Sequence, residues 1–128
     1  MKFTNVVLID DDRDDRELFI DATGKISPAI NCTAYDSAED ALGKLMQDTA
    51  LPDVIFLDLN MPRMNGVEFM EEVSKVPSLK LIHIFIYSTT NYIEVCKEKI
   101  KQLAARCITK PDSYDELVHV LQGIYMRG

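Results

Sequence analysis

The chain is predicted to be an α/β protein built from five β-α units, with a doubly wound parallel sheet covered by helices on both faces. Two observations predict this class. Short runs rich in Val, Ile and Phe alternate with longer segments of helical period along the whole 128 residues. The strongest runs are also apolar at nearly every position, as in strands packed on both faces. A third observation locates the chemistry. Four apolar runs end in a polar residue: Ile9 leads into Asp10-Asp11-Asp12, Leu57 into Asp58, Tyr87 into Ser88, and Thr109 into Lys110-Pro111. Right-handed crossovers bring every β-α turn to the same sheet edge, and open α/β sheets bind their ligands at that edge.

The first strand is read near Asn5–Ile9, and a helix follows from about Arg13 to Thr23, with Leu18, Phe19 and Ala22 on its apolar face and Gly24 as its stop. The second strand, Ile30–Tyr35, is weaker because Asn31, Cys32, Thr33 and Ala34 interrupt it, so it is placed at a sheet edge. A helix from Ala38 to Gln47 starts at Ser37 and presents Ala38, Ala41, Leu42, Leu45 and Met46. The third strand covers Asp53–Leu57, and a helix from Val67 to Lys75 follows the Asn65-Gly66 turn and ends before Pro77. The fourth strand covers Leu81–Tyr87. Its helix runs from Tyr92 to Ala104 with Ile93, Cys96, Ile100 and Leu103 inward. The fifth strand is Arg106–Thr109. The last helix, Tyr114 to Tyr125, opens with Ser113 and Glu116 in capping-box spacing and buries Leu117, Val118, Leu121 and Ile124. With strand order 2-1-3-4-5 the fold is flavodoxin-like.

The length suits one domain, residues 1–128, with a single core. The net charge of -7 leaves no basic stripe to neutralise phosphates, which excludes a nucleic-acid surface. The amino terminus is too short and polar for a signal peptide, and no apolar run approaches the ~20 residues that span a bilayer. No linker or repeat marks an attached output domain, so a stand-alone cytoplasmic protein without membrane contact is expected. The three cysteines, Cys32, Cys96 and Cys107, have no metal-like spacing, and buried reduced thiols are expected. His83 lies inside a strand and His119 on the last helix, and neither is read as a ligand or base.

The acids carry the most information. One or two of Asp10, Asp11 and Asp12 suffice to offset a helix dipole, and adjacent residues cannot all share one task. Asp58 ends the central strand without an evident cap role. If strands one and three are neighbours, the two acid groups stand ~5 Å apart and repel by roughly 3 kcal/mol at an effective dielectric of ~20. A compensating cation is therefore expected. Mg²⁺ suits few protein ligands, several waters and an adjoining phosphate. Ser88 can reach this point from the next strand. Lys110 comes from ~10 Å away, which only a long flexible cation spans. Asn60, in the Asn60-Met61-Pro62 turn, is placed to offer its backbone carbonyl or side chain.

Taken together, Ile9-Asp10-Asp11-Asp12, Leu57-Asp58-Leu59-Asn60-Met61-Pro62, Asn65-Gly66, Ser88-Thr89 and Lys110-Pro111 resemble a response-regulator receiver domain of two-component signalling, over essentially the whole chain. The string from Asp10 to Arg16 also resembles stand-alone members, some paired with phytochrome-type kinases. The resemblance implies Asp58 as phosphoacceptor, Asp11 as a direct Mg²⁺ ligand, Asp10 acting through water, and the Asn60 carbonyl completing the set. It implies Ser88 and Lys110 on phosphoryl oxygens, Asn60 and Thr90 tuning the lifetime, and Asp12 as a helix cap. It implies a histidine kinase or histidine phosphotransfer protein as donor and a downstream protein as target, with no turnover of a separate substrate. The signalling face would combine the fourth helix, fifth strand and fifth helix, with Tyr92, Tyr114 and Tyr125 on or near it. The Lys110-Pro111 bond is often cis in such domains.

Two positions depart from that pattern. Asn65 stands where Asp is usual, and Cys107 where an aromatic normally follows the hydroxyl, so the familiar aromatic switch is not expected in its usual form. Three other readings fit part of the pattern. An Mg²⁺-dependent aspartyl-phosphate phosphatase of haloacid-dehalogenase type would place its nucleophile after strand one. A flavin-binding flavodoxin would need a hydroxyl- and glycine-rich loop where this chain has acids. A degenerate receiver would act only as an interaction module.

Overall fold

The computed structural model describes residues 3–47, 50–103 and 105–127, with the side chain of residue 127 left out. In chain order the elements are β1 (Asn5–Ile9), α1 (Arg13–Ile26), β2 (Asn31–Tyr35), α2 (Ala38–Gln47), β3 (Val54–Leu57) and α3 (Gly66–Ser74). A 3₁₀ turn at Pro77–Leu79 precedes β4 (His83–Ser88), α4 (Thr90–Val95), α5 (Lys97–Gln102), β5 (Arg106–Thr109) and α6 (Tyr114–Arg127). All pairings are parallel, in the order β2-β1-β3-β4-β5, the arrangement expected from sequence. No helix among the described residues is long and apolar enough to cross a membrane.

Strand alternation divides the core into two layers. Val7, Ile9, Ile55, Leu57 and Ile86 face the layer of α2, α3 and α5, where Leu45, Phe69, Met70, Val73 and Ile100 are buried. Val6, Leu8, Val54, Phe56, Phe85 and Tyr87 face α1 and α6, against Phe19, Ala22, Leu117, Leu121 and Tyr125. Phe19 meets Phe56 edge-on at 5.0 Å and Tyr87 at 5.5 Å. Each large apolar side chain buried this way contributes about 1.5–3 kcal/mol.

Several expectations are corrected. Gly24 does not stop α1, which continues to Ile26. The stop is Ser27, extended because Pro28 follows it. Packing of Ala22 and Thr23 overrides the cost of ~1 kcal/mol for a helical glycine. Leu18 and Met46 are exposed, because each flanks the buried stripe of its helix. The single fourth helix is two short ones parted at Cys96. Thr90, Ile93 and Val95 are weak helix formers and no side chain caps α4. Ala104, its expected end, lies outside the described residues, as do residues 1 and 2. Cys107 is exposed on the edge strand β5, while Cys32 and Cys96 are half-buried, and all three thiols are free. Tyr125, expected on or near the signalling face, is fully buried with its hydroxyl 2.8 Å from Thr23 Oγ1. The Lys110–Pro111 bond is trans.

Candidate functional site

Strand register builds the site. Ile9 pairs with Leu57 and Leu57 with Ile86, so Asp10, Asp58 and Tyr87 are the next residues in line. The ladder continues past the strands: the Asp58 N–H donates to the Ile9 carbonyl at 2.9 Å, and the Lys110 N–H to the Ser88 carbonyl at 2.8 Å. The backbone thus delivers two acids, a hydroxyl and a lysine to one sheet edge before any side chain is considered.

The side chains converge there. Ser88 Oγ donates to Asp58 Oδ1 at 2.8 Å, and Lys110 Nζ to Asp58 Oδ2 at 3.0 Å. The Asn60 N–H approaches Asp58 Oδ1 at 3.3 Å. Asp10, Asp58 and Ser88 are all buried, whereas Asp11 is exposed. Carboxylate oxygens of Asp10, Asp11 and Asp58 lie within 4.8 Å of one another. The turn after Asp58 needs its glycine: a Cβ on Gly66 would stand 2.6 Å from the Asp58 carbonyl oxygen. Asn65 caps α3 through Glu68 in a reciprocal capping box, so Asn serves this position as well as Asp.

Asp12 does what its position predicts, capping α1 by accepting the Asp15 N–H at 3.0 Å. Thr90 is exposed at the start of α4. His83 packs edge-on against Phe3, and His119 is exposed, so neither enters the site. Two participants are not evident in the sequence pattern. Asp15 accepts from Lys110 Nζ at 2.7 Å, and the Arg16 guanidinium donates to the Asp10 carbonyl at 3.0 Å. Both sit in the first turns of α1, where acidic and basic residues are routine, so only the fold distinguishes them.

The electrostatics suit a cation. Asp10 Oδ1 accepts the Asp12 N–H at 2.9 Å, but Oδ2 is buried with no aligned hydrogen bond, although Lys110 Nζ stands 2.9 Å away as an ion pair. Burial pushes the Asp10 carboxyl up to about 6, against the opposing pull of Lys110. Burial also works against the charge of Lys110, yet its contacts with Asp15 and Asp10 outweigh this and raise its pKa. An all-oxygen group of three carboxylates, one of them with an unsatisfied buried oxygen, fits a hard divalent ion.

Known proteins resemble this chain in sequence and in fold. A protein-glutamate methylesterase/protein-glutamine glutaminase of Treponema denticola is 33% identical over 115 residues, covering 87% of this chain and 29% of that protein. Response regulator Rcp1 of Synechocystis sp. is 32% identical over 79 residues, covering 61% of this chain and 53% of that protein. This chain therefore spans about half or less of the length of these curated relatives. The phosphorylated cyanobacterial phytochrome response regulator RcpA superposes with a TM-score of 0.83 at 27% identity, covering 95% of this chain and 91% of that one. The Mn²⁺-bound form of response regulator Rcp1 gives 0.76 at 26% identity, covering 94% and 91%. The family model of the response regulator receiver domain matches residues 6–122, a span that holds every site residue described above. With that match joined to the 2-1-3-4-5 sheet and its acidic edge, the chain belongs to the response-regulator receiver family.

Proposed function

We propose that this chain is a phosphorylation-dependent signalling switch that takes a phosphoryl group onto Asp58 from a sensor histidine kinase or a histidine phosphotransfer protein. The observation that carries the reading is the Asp58 carboxylate itself. It is buried, held by Ser88 and Lys110, and within 4.8 Å of two further acids. A structural acid needs no such company.

In the proposed reaction an Asp58 oxygen attacks the phosphorus of a phosphohistidine. An O–P bond forms, the N–P bond breaks, and the imidazole leaves with the electron pair and acquires a proton. Phosphoryl transfer depends mostly on positioning and charge neutralisation. Lys110 supplies a fixed positive charge, and Ser88 a hydroxyl donor, to phosphoryl oxygens. Asp11, Asp58 and the Asn60 carbonyl would hold Mg²⁺, with Asp10 acting through water. The bound ion would supply further charge neutralisation. The divalent choice is supported by the acid group and by the Mn²⁺-bound state of Rcp1. Hydrolysis reverses the modification: water attacks phosphorus, the acyl O–P bond breaks, and the Asp58 carboxylate and inorganic phosphate result. Asn60 and Thr90, both exposed, would tune how readily that water enters.

On this reading the protein acts in the cytoplasm on protein partners, without nucleic acid or membrane contact, and turns over no separate substrate. Its output is a population shift in the face made by α4, α5, β5 and α6. That face includes the exposed Tyr92 and Val95. Incubation with acetyl phosphate and Mg²⁺ tests the reading. One phosphoryl mass should appear on wild type and none on Asp58→Asn. A wild type that never labels, or a variant that labels equally, overturns it.

A further inference from the structure

Lys110 is held by three carboxylates: Asp15 Oδ2 at 2.7 Å, Asp10 Oδ2 at 2.9 Å and Asp58 Oδ2 at 3.0 Å. Asp15 and Asp58 accept hydrogen bonds from the ammonium, while Asp10 Oδ2 faces it as an ion pair without an aligned hydrogen bond. Two of the three, Asp10 and Asp58, also belong to the group able to hold a cation, and Asp15 does not. Any cation drawn to that group competes with Lys110 for both of its β-strand partners. Asp15 alone comes from a helix, α1, and its Oδ2 accepts from Lys110. The lysine head is otherwise weakly constrained. Its stem is a flexible chain, and the nearest ring, Tyr87, lies 5.6 Å from Nζ.

From this division of labour we infer that Asp15 is a positioning residue for phosphoryl transfer: it keeps the Lys110 ammonium beside Asp58 when a cation engages Asp10 and Asp58. The inference rests on the proposed function for its chemistry but not for its geometry. Asp15 lies outside the group of carboxylates able to hold the cation. It acts through Lys110, which it tethers across the small cleft between α1 and the start of α6, lined by Asp15, Tyr87, Lys110, Pro111 and Tyr114. Asp12 remains the α1 cap and Asp14 a first-turn acid, so loss of Asp15 leaves the helix start otherwise provisioned.

The test compares wild type, Asp15→Ala and Asp15→Glu as full chains with saturating Mg²⁺. Three quantities are read: the rate of phosphorylation by acetyl phosphate, the Mg²⁺ dissociation constant by calorimetric titration, and the Lys110 ammonium resonance by ¹⁵N NMR, assigned with Lys110→Arg. Asp15→Ala should slow phosphorylation about tenfold or more, towards the roughly hundredfold loss that a misplacement of about 1 Å can cause. It should leave Mg²⁺ affinity unchanged and abolish the slowly exchanging Lys110 ammonium signal. Asp15→Glu, with the same charge on a longer arm, should restore both rate and signal in part. An unchanged or faster rate in Asp15→Ala overturns the inference, and so does a fall in Mg²⁺ affinity that matches the fall in rate. If wild type takes up no phosphoryl group, the proposed function fails by itself. The resonance then decides, and an identical Lys110 signal in wild type and Asp15→Ala removes Asp15 from the role.

Discussion

Asp53 and Asp58 bracket β3, one just before Val54 and the other just after Leu57, and the chain treats them in opposite ways. Asp53 Oδ2 accepts the backbone N–H groups of Thr4 and Asn5, both at 2.9 Å. Its own backbone stitches the strands on either side, with its N–H on the Asn5 carbonyl and its carbonyl accepting from His83. Asp58 is engaged by side chains from elsewhere, Ser88 and Lys110, beside two more acids. The main-chain donors that hold Asp53 are fixed by the sheet and cannot move away while it stays closed. A carboxylate held by a hydroxyl and a flexible lysine can exchange partners by side-chain rotation while the fold stays intact. The first arrangement suits structure, and the second suits a group that must accept and lose a substituent.

That contrast is open to experiment. The largest expected effect is on labelling by acetyl phosphate: complete loss in Asp58→Asn and wild-type labelling in Asp53→Asn. Mg²⁺ comes next. At a hundred times its dissociation constant it should stabilise the folded protein by about 2.7 kcal/mol, seen as a raised Tm. Asp11→Ala should remove the gain and Asp53→Asn should keep it, whereas equal gains in Asp11→Ala and wild type would take Asp11 out of the cation group.

A smaller effect is on stability without ligand. Asp53→Asn should cost about 1–2 kcal/mol in a urea titration, the worth of charge-assisted hydrogen bonds that a neutral amide makes less well. The smallest is pH-dependent. Partial burial works against the Asp53 charge, but the Thr4 and Asn5 donors outweigh it and hold the carboxyl below its usual 3.8. The folded state therefore binds fewer protons than the unfolded one in that range. The contribution is fully present above 3.8 and lost as pH falls through the lowered folded value. Wild type should lose stability there faster than Asp53→Asn, and parallel acid curves would contradict the assignment.

The elements that were legible and those that were not differ in kind. β1, β3 and β4 announce themselves through unbroken apolar runs, because both faces of a central parallel strand are covered. Asp12, Ser37 and Ser113 behave as sequence places them, each accepting a backbone N–H at the start of its helix, and Asn65, read as a turn residue, does the same. Capping is local chemistry and survives any context. The end of α1, the parting of α4 from α5, and the exposure of Leu18, Met46 and Cys107 were not legible. In each case a competition with distant packing decides the outcome. Tyr125 is a clear instance: it falls on or near the expected signalling face, and the fold buries it against Phe56 with its hydroxyl on Thr23.

The α/β class and the polar residues that end the apolar runs, Asp10, Asp11, Asp58, Ser88 and Lys110, were readable from the chain alone, and the 2-1-3-4-5 order was one of two common arrangements it allowed. Periodicity and the ends of apolar runs are properties of the chain, and crossover handedness leaves few ways to assemble them. Only the tertiary structure decided that Asp10 is buried with an unsatisfied oxygen, that Asp11 is exposed, and that Asp15 reaches Lys110 across 95 residues of sequence. Those are distances and burials between residues remote in sequence, and no local pattern encodes them.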